Sequence, residues 1–415
     1  MNISIPYNNS NIDITIPDEH FAGFVEPQNI TAQESSEKII KTALANCSGS
    51  LSYSEIIHGP GTLLVIVNDG TRPTPTKYVL DIIADDLAEA GAEFIVATGV
   101  HRGPTEDEYK FIFGKHYKRF TDFVNVHDAR KSDDMVYLGR SRQGTDIFIN
   151  RLGYEADKVL VIGSVEPHYF AGYTGGRKAF FPGIAAFSTI EKNHSHAVSG
   201  EAQALKLEGN PVHLDMVDSL KTLGDKKIFS IMTVMDKNHD IYSVTAGNIN
   251  SSFDDAVDRA NEIFTSQIPE KADIVISCAK YPMDVDLYQS QKAIENGKLA
   301  LKPDGILILV ASCRDGVGES AYIELLSSCD TPAAVIEEIR SSYRLGYHKA
   351  AKMAEVCTWA KVWAKTELED SLLESIFINP VSNLQDAVEE ALRAKGANAK
   401  VLIFPDGAVT VPLIV

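Results

Sequence analysis

The sequence predicts an α/β fold, with two α/β domains built on mainly parallel sheets. Three observations predict it. Short apolar runs alternate with amphipathic stretches along the chain, which is the pattern of parallel sheets covered by helices. The chain has 415 residues, too many for one compact core, so two or three domains are expected. Hydrophobic residues make up 44%, enough to bury a sizeable core and too many for wholesale disorder.

The elements follow in order. TLLVIVN (62–68) reads as a buried strand, and TKYVLDIIADDLAEAG (76–91) as a helix with apolar residues at three- and four-residue spacing and a glycine stop. EFIVATG (93–99), KVLVIGSV (158–165) and KIFSIMTVM (227–235) read as further strands. DIVISCA (273–279) is the next, followed by the helical stretch LYQSQKAIENGKLAL and the strand GILILVA (305–311). The polar stretch SQIPEKAD (266–273), with Pro269, is the expected domain boundary. That gives an N-terminal domain over 1–268 and a C-terminal domain over 269–400. Residues 401–415 are expected as terminal strands able to return to the first domain.

Composition removes several functions. A net charge of −18 argues against a general nucleic-acid surface, which needs basic patches to neutralise phosphates. The cysteines, Cys47, Cys278, Cys313, Cys329 and Cys357, are odd in number and contain no C-x-x-C pair, so neither a disulfide framework nor a cysteine zinc site is expected. No secretory leader pattern and no run of about 18 apolar residues occurs. The expected setting is the cytoplasm, without a membrane partner.

Polar clusters directly follow the strands: NDGTRPTPT, GVHRGPTEDE, EPHYFAGYTGGRKA and KYPMDVDLYQSQK. In open α/β sheets ligands bind outside the carboxyl ends of strands, so these distant segments are expected to meet in one crevice. His101 and His168 each follow a strand, and imidazole is the commonest general base near neutral pH. His194 lies on or just past a short helix. No H-E-x-x-H pattern exists, so an all-protein zinc site is poorly supported. Lys178 ends a Gly175-Gly176-Arg177-Lys178 turn. The glycines allow close backbone approach to a ligand, and a neighbouring cation favours the neutral, nucleophilic amine. A solvated basic turn is the competing reading, against which the following Phe180-Phe181 pair weighs. Arg72 can grip a carboxylate or phosphate; Asp69 either assists it or caps the helix beginning near Pro75. Tyr288 and Lys292 share a helix face, beside Gln289, and can point at an anionic substrate with help from the helix N-terminus.

Together the pieces D-x-T-R (69–72), G-x-H-R (99–102), EPHYFAGYTGGRK (166–178), N-H (193–194), LEGNPVH (207–213) and LYQSQK (287–292) resemble the nickel-dependent lactate racemase family. The resemblance implies a racemase or epimerase of 2-hydroxy acids, with its active site in the cleft between two α/β domains. It implies a nickel pincer nucleotide, a pyridinium-3-thioamide-5-thiocarboxylic acid mononucleotide carrying Ni(II), attached covalently through Lys178 and completed by His194 as metal ligand. Asp69, Thr71, Gly175, Gly176 and Arg177 would surround the cofactor. His101 and His168 would be the catalytic bases. Arg72, Tyr288, Gln289 and Lys292 would hold the substrate while hydride passes reversibly from C2 to the cofactor through a 2-keto acid. Cofactor-maturation proteins are the implied partners. One departure stands out: the family tends to carry histidine after the aspartate, where this chain has Gly70. The lost bulk is expected to leave room for a longer hydroxy acid, such as a sugar acid or malate. A non-catalytic nucleotide or metal carrier, which needs only Lys178 and His194, is the rival of another class.

Overall fold

The computed structural model describes every residue except Asn9, Pro27, Asn29 and Lys237. The chain forms two compact units: an inserted unit spanning 29–263, and a split unit made from 1–28 together with 264–415.

The inserted unit is built on a six-stranded sheet in the order Ile241–Asn248, Lys227–Met235, Lys158–Ser164, Leu63–Asn68, Glu93–Ala97, Val124–Val126. All neighbours are parallel except the first pair. The central strands are continuous apolar runs because helices cover both faces, leaving no solvated side that would impose alternation. Val65, Ile66, Val67 and Ile162 are fully buried. The helix Thr76–Glu89 turns Val79, Leu80, Ile83 and Leu87 into the same core.

The split unit holds a second six-stranded sheet, parallel throughout: Ile378–Pro380, Lys361–Lys365, Leu301–Val310, Ala272–Cys278, Val401–Phe404, Phe21–Phe24. This corrects two expectations. Residues 1–28 do not belong with the residues that follow them. The strand Phe21–Phe24 takes the edge beside Val401–Phe404, and the hairpin Asn2–Tyr7 with Ser10–Thr15 buries Ile3, Ile5 and Ile14 against this sheet. The terminal residues do not join the inserted unit. Val401–Phe404 pairs with Ala272–Cys278, and Val411–Ile414 with Thr265–Ile268. The physical reason is shared: VLIF is buried on both faces and needs a strand on each side to satisfy its backbone. Among the described residues no helix is long and apolar enough to cross a membrane.

Candidate active site

In the inserted sheet the chain steps from Leu63–Asn68 towards Glu93–Ala97 on one side, then back to Lys158–Ser164 on the other. The carboxyl ends at such a reversal diverge and leave a crevice. A cavity of about 810 Å³, its open mouth included, lies there. Asp69, Arg72, His101, His168, Lys178 and His194 all line it, so segments distant in sequence do meet.

Asp69 is buried just past the first strand, and its Oδ2 lies 2.7 Å from His101 Nδ1. The carboxylate therefore accepts the Nδ1 proton, which fixes the ring and leaves Nε2 as its basic atom. The Asp69 carboxyl is a contest between burial, which raises its pKa, and hydrogen bonds from His101 and Thr71, which prevail and lower it. It does not cap the following helix; Pro75 stands at that position without a side-chain cap.

The loop 166–183 carries the densest part of the site. Gly175 and Gly176 have φ of +80° and +53°, and a Cβ on Gly175 would stand 2.6 Å from Val165 Cγ2. Only glycine lets this turn press onto the strand end, and both glycines border the cavity. Phe170 is the hub. His168 meets its ring edge to face at 4.5 Å, His194 does so at 5.1 Å, and Lys178 Nζ lies 5.7 Å from the centroid. Asn210 secures the hub. Its Nδ2 donates to the Phe170 carbonyl at 2.9 Å and to that of Lys206 at 3.0 Å, while its Oδ1 caps the helix Pro211–Leu220. Sequence reasoning missed both residues as site elements, although each lies inside a motif, EPHYFAGY or LEGNPVH, that marked the family resemblance.

His194 sits in the last turn of the helix Phe187–Ser195. Its neighbour Asn193 faces the other way and donates to Asp215 at 2.8 Å; this buried carboxylate also accepts from Ser141 at 2.5 Å and Thr145 at 2.9 Å. The metal-ligand candidate is thus carried on a helix docked through a buried polar network. His168 receives the Ala171 amide proton on Nδ1 at 3.3 Å, so its neutral ring carries hydrogen on Nε2. Burial first, then the charges of Lys178 and Arg72, hold its pKa well below the usual imidazole value. The Lys178 amine is likewise pushed far down, by burial first and then by Arg72 and Arg177. Both side chains reach the cavity and are otherwise surrounded by protein.

Several expected roles fall elsewhere. Arg177 is buried away from the cavity. Its guanidinium donates to the Ala171 carbonyl at 2.9 Å and to that of Tyr173 at 3.2 Å, and it stacks 4.5 Å from the Phe253 ring centroid. It braces the loop from behind. Thr71 is spent on Asp69, donating its hydroxyl to Oδ1 at 2.6 Å, and it is not among the residues lining the cavity. Gly70 leaves no vacancy: a Cβ there would lie 2.5 Å from Glu108 Cγ and 2.7 Å from Glu108 Cβ. Glu108 is held in place by Arg102, through contacts of 2.7 and 2.9 Å, and by the Thr105 amide at 2.6 Å. Tyr288, Gln289 and Lys292 lie on the helix Leu287–Gly297 of the split unit. Its N-terminus offers less to an anion than expected, because Asp286 caps it by accepting from the Gln289 amide at 2.7 Å.

The residues fit a nickel pincer nucleotide. The cavity's ionisable lining is cationic or imidazole except for Asp69, which suits a phosphate in a chain of net charge −18. Among the described residues no three His, Cys, Asp or Glu side chains are grouped to hold a metal ion. A metal bound here has to bring most of its ligands, which is the arrangement in which one imidazole suffices. A neutral lysine amine beside it is competent for covalent attachment.

Residues 7–205 match the family model for the lactate racemase N-terminal domain, and 267–413 that for the lactate racemase C-terminal domain. The chain is 32% identical to the lactate racemase of Thermoanaerobacterium thermosaccharolyticum and 31% identical to that of Lactiplantibacillus plantarum, with 98% of each chain covered in both cases. The structure of the lactate racemase apoprotein from T. thermosaccharolyticum superposes with a TM-score of 0.88 at 31% identity, covering all of both chains. A Thermotoga maritima protein of known crystal structure shares the fold, with a TM-score of 0.64 at 15% identity over 93% of this chain and all of its own.

Proposed function

Because the chain belongs to the lactate racemase family, we propose that it interconverts the enantiomers of a 2-hydroxy acid, with lactate the first candidate, using a nickel pincer nucleotide attached through Lys178 and ligated by His194. The observation that carries this reading is the convergence of Lys178, His194, the Asp69–His101 pair, His168 and Arg72 on one cavity at the strand ends.

When bound, the cofactor supplies the acceptor and donor for the C2 hydride, so the substrate passes through a planar 2-keto acid that can be reduced on either face. The chain's residues handle protons and orientation. His101 Nε2 takes the hydroxyl proton of one enantiomer, and Asp69 stabilises the imidazolium that results. By resemblance His168 serves the other enantiomer, which requires its ring to give up the Ala171 amide contact so that an unprotonated nitrogen faces the substrate. Arg72 offers a permanent cation to the substrate carboxylate or hydroxyl. By resemblance, Tyr288, Gln289 and Lys292 also contact substrate. Maturation proteins build the cofactor, and the five free thiols support a cytoplasmic setting.

The Asp69–His101 pair favours an enzyme over a carrier, which has no use for an oriented base. The reading as an epimerase of longer acids loses its structural argument, because Glu108 fills the space over Gly70. The test uses cofactor-loaded protein and one enantiomer of lactate deuterated at C2. Racemisation with deuterium kept at C2 is expected. Loaded protein that racemises no 2-hydroxy acid, or that exchanges the deuterium with water, overturns the proposal.

A further inference from the structure

The helix Tyr347–Trp359 packs in the split unit beside Leu287–Gly297, the helix of the three substrate candidates. Gln291 Nε2 ties the two by donating to the Lys349 carbonyl at 2.9 Å. The Lys349 side chain is buried, and its Nζ stands 3.5 Å from the centroid of the Tyr288 ring while also donating to the Tyr288 backbone carbonyl. The edge of the same ring system is met by Tyr322, perpendicular at 5.6 Å and itself buried. The Tyr288 backbone is pinned by its amide donating to the Val317 carbonyl at 3.2 Å, and Gly318 crowds its Cβ so closely that a side chain there would approach to 2.9 Å.

We infer that Lys349 is a positioning residue for Tyr288: seated on the ring face and bonded to the backbone of the same residue, it fixes the phenol in the orientation from which Tyr288 meets the substrate. The inference rests on the reading of Tyr288 as a substrate contact. The chemistry of the contact favours function over packing. Burying a lysine amine is costly; burial, followed by the charge of Lys292, pushes its pKa down to about 7. Methionine would fill the same space without that cost. What methionine cannot do is attract the ring face through its quadrupole and hold the carbonyl at the same time. The amine is spent on Tyr288, a residue of the helix that also carries Gln289 and Lys292.

The test pairs a contact measurement with a kinetic one. In protein labelled with ¹³C-tyrosine, the ring resonances of Tyr288 are assigned by their loss in Tyr288→Leu. Lys349→Met is expected to shift them, Lys349→Arg to restore most of the shift, and Tyr242 of the inserted unit to stay unmoved. In cofactor-loaded enzyme, Lys349→Met should raise KM about tenfold with a smaller change in kcat, the scale of one desolvated cation–ring contact. That effect should vanish in the Tyr288→Leu background. Unmoved Tyr288 resonances, or kinetic effects that simply add in the double variant, overturn the inference while leaving the racemase reading intact. Shifted resonances together with kinetically silent Tyr288→Leu overturn the assignment of Tyr288 to the substrate, and the positioning role with it. Should Lys349→Met fail to fold, Lys349→Arg decides alone: a cation retained over the ring predicts near-native kinetics, and a loss as large as that of Tyr288→Leu overturns the role.

Discussion

Lys178 is poised by its surroundings rather than by its own chemistry. Burial and the nearby Arg72 and Arg177 charges favour its neutral amine, so on protein without cofactor a lysine-directed acylating reagent at neutral pH should label Lys178 ahead of exposed lysines. Arg72→Gln removes one opposing cation and should slow that labelling several-fold at pH 7, and less at pH 10. Peptide mapping by mass spectrometry reads both; labelling no faster than at the exposed Lys118 would refute the idea. Gly70 supports a second expectation. Glu108 Cβ and Cγ occupy the place of a side chain, so Gly70→Ala should destabilise by about 1–3 kcal/mol, the usual cost of overpacking, and Glu108→Ala should recover part of it. Denaturant unfolding measures this, and an unchanged midpoint in Gly70→Ala would show that the helix Glu106–Phe113 shifts without penalty. These residues also mark how far the sequence was legible. That Asp69, Arg72, His101, His168, Lys178 and His194 meet at one cavity was legible because chemistry-bearing side chains directly follow apolar runs, or because a specific motif carries them. The direction of Arg177 and the occupant of the space over Gly70 were not legible. Both depend on where Phe253 and Glu108 arrive in three dimensions, and neither neighbour signals that in its own segment.

Elements were legible in proportion to the uniformity of their environment. The strands at 63–68, 158–164 and 227–235 are buried on both faces and read as unbroken apolar runs. The first hairpin is hard to read because each strand is half exposed, and the clue, alternating Ile3/Ile5 and Ile12/Ile14, is weak in strands of six residues. Short connections escape for another reason: tertiary hydrogen bonds hold them. His127, after the strand Val124–Val126, shows this. It is buried, donates from Nε2 to the Ala185 carbonyl at 2.9 Å, and accepts from Asn150 on Nδ1 at 3.4 Å. The bond from Asn150 needs an unprotonated Nδ1, and burial pushes the ring's pKa down to about 4. The unfolded chain therefore binds the extra proton first as pH falls. Stability from this site is complete above the ordinary imidazole value near 6.5 and is lost progressively towards pH 4, below which the penalty levels off. Urea midpoints at pH 7 and pH 5 should differ more for the native protein than for His127→Gln. Equal differences would remove His127 from the acid response.

At the scale of the whole molecule the sequence showed two α/β units but not how the chain divides between them. A boundary near residue 268 is marked by polar residues and proline, whereas the allegiance of residues 1–28 is set by pairing with strands nearly the whole chain away. Val25 donates to the Ile403 carbonyl at 2.8 Å, and Val401 donates to that of His20 at 2.8 Å. Ile3, Ile5, Ile14 and Ile16 share one core with Ile274, Ile276, Ile306 and Ile403. Burying an isoleucine is worth about 1.5–3 kcal/mol, so losing four of them, with an edge strand, rivals the roughly 5–15 kcal/mol that holds an ordinary domain together. The inserted unit has its own core, from Val65, Ile162 and Phe229 to the helix residues Leu80 and Ile83, and owes nothing to those isoleucines. Deleting residues 1–28 is therefore expected to unfold the split unit selectively. Hydrogen exchange should show lost protection over Ala272–Cys278 and Leu301–Val310, with protection retained over Leu63–Asn68 and Lys158–Ser164. The acylation of Lys178 should survive the truncation, because the cavity is lined by the inserted unit alone. Protection lost equally in both sheets would mean that the two units unfold as one cooperative body, and protection lost in neither would mean that the first hairpin is dispensable to the core it covers.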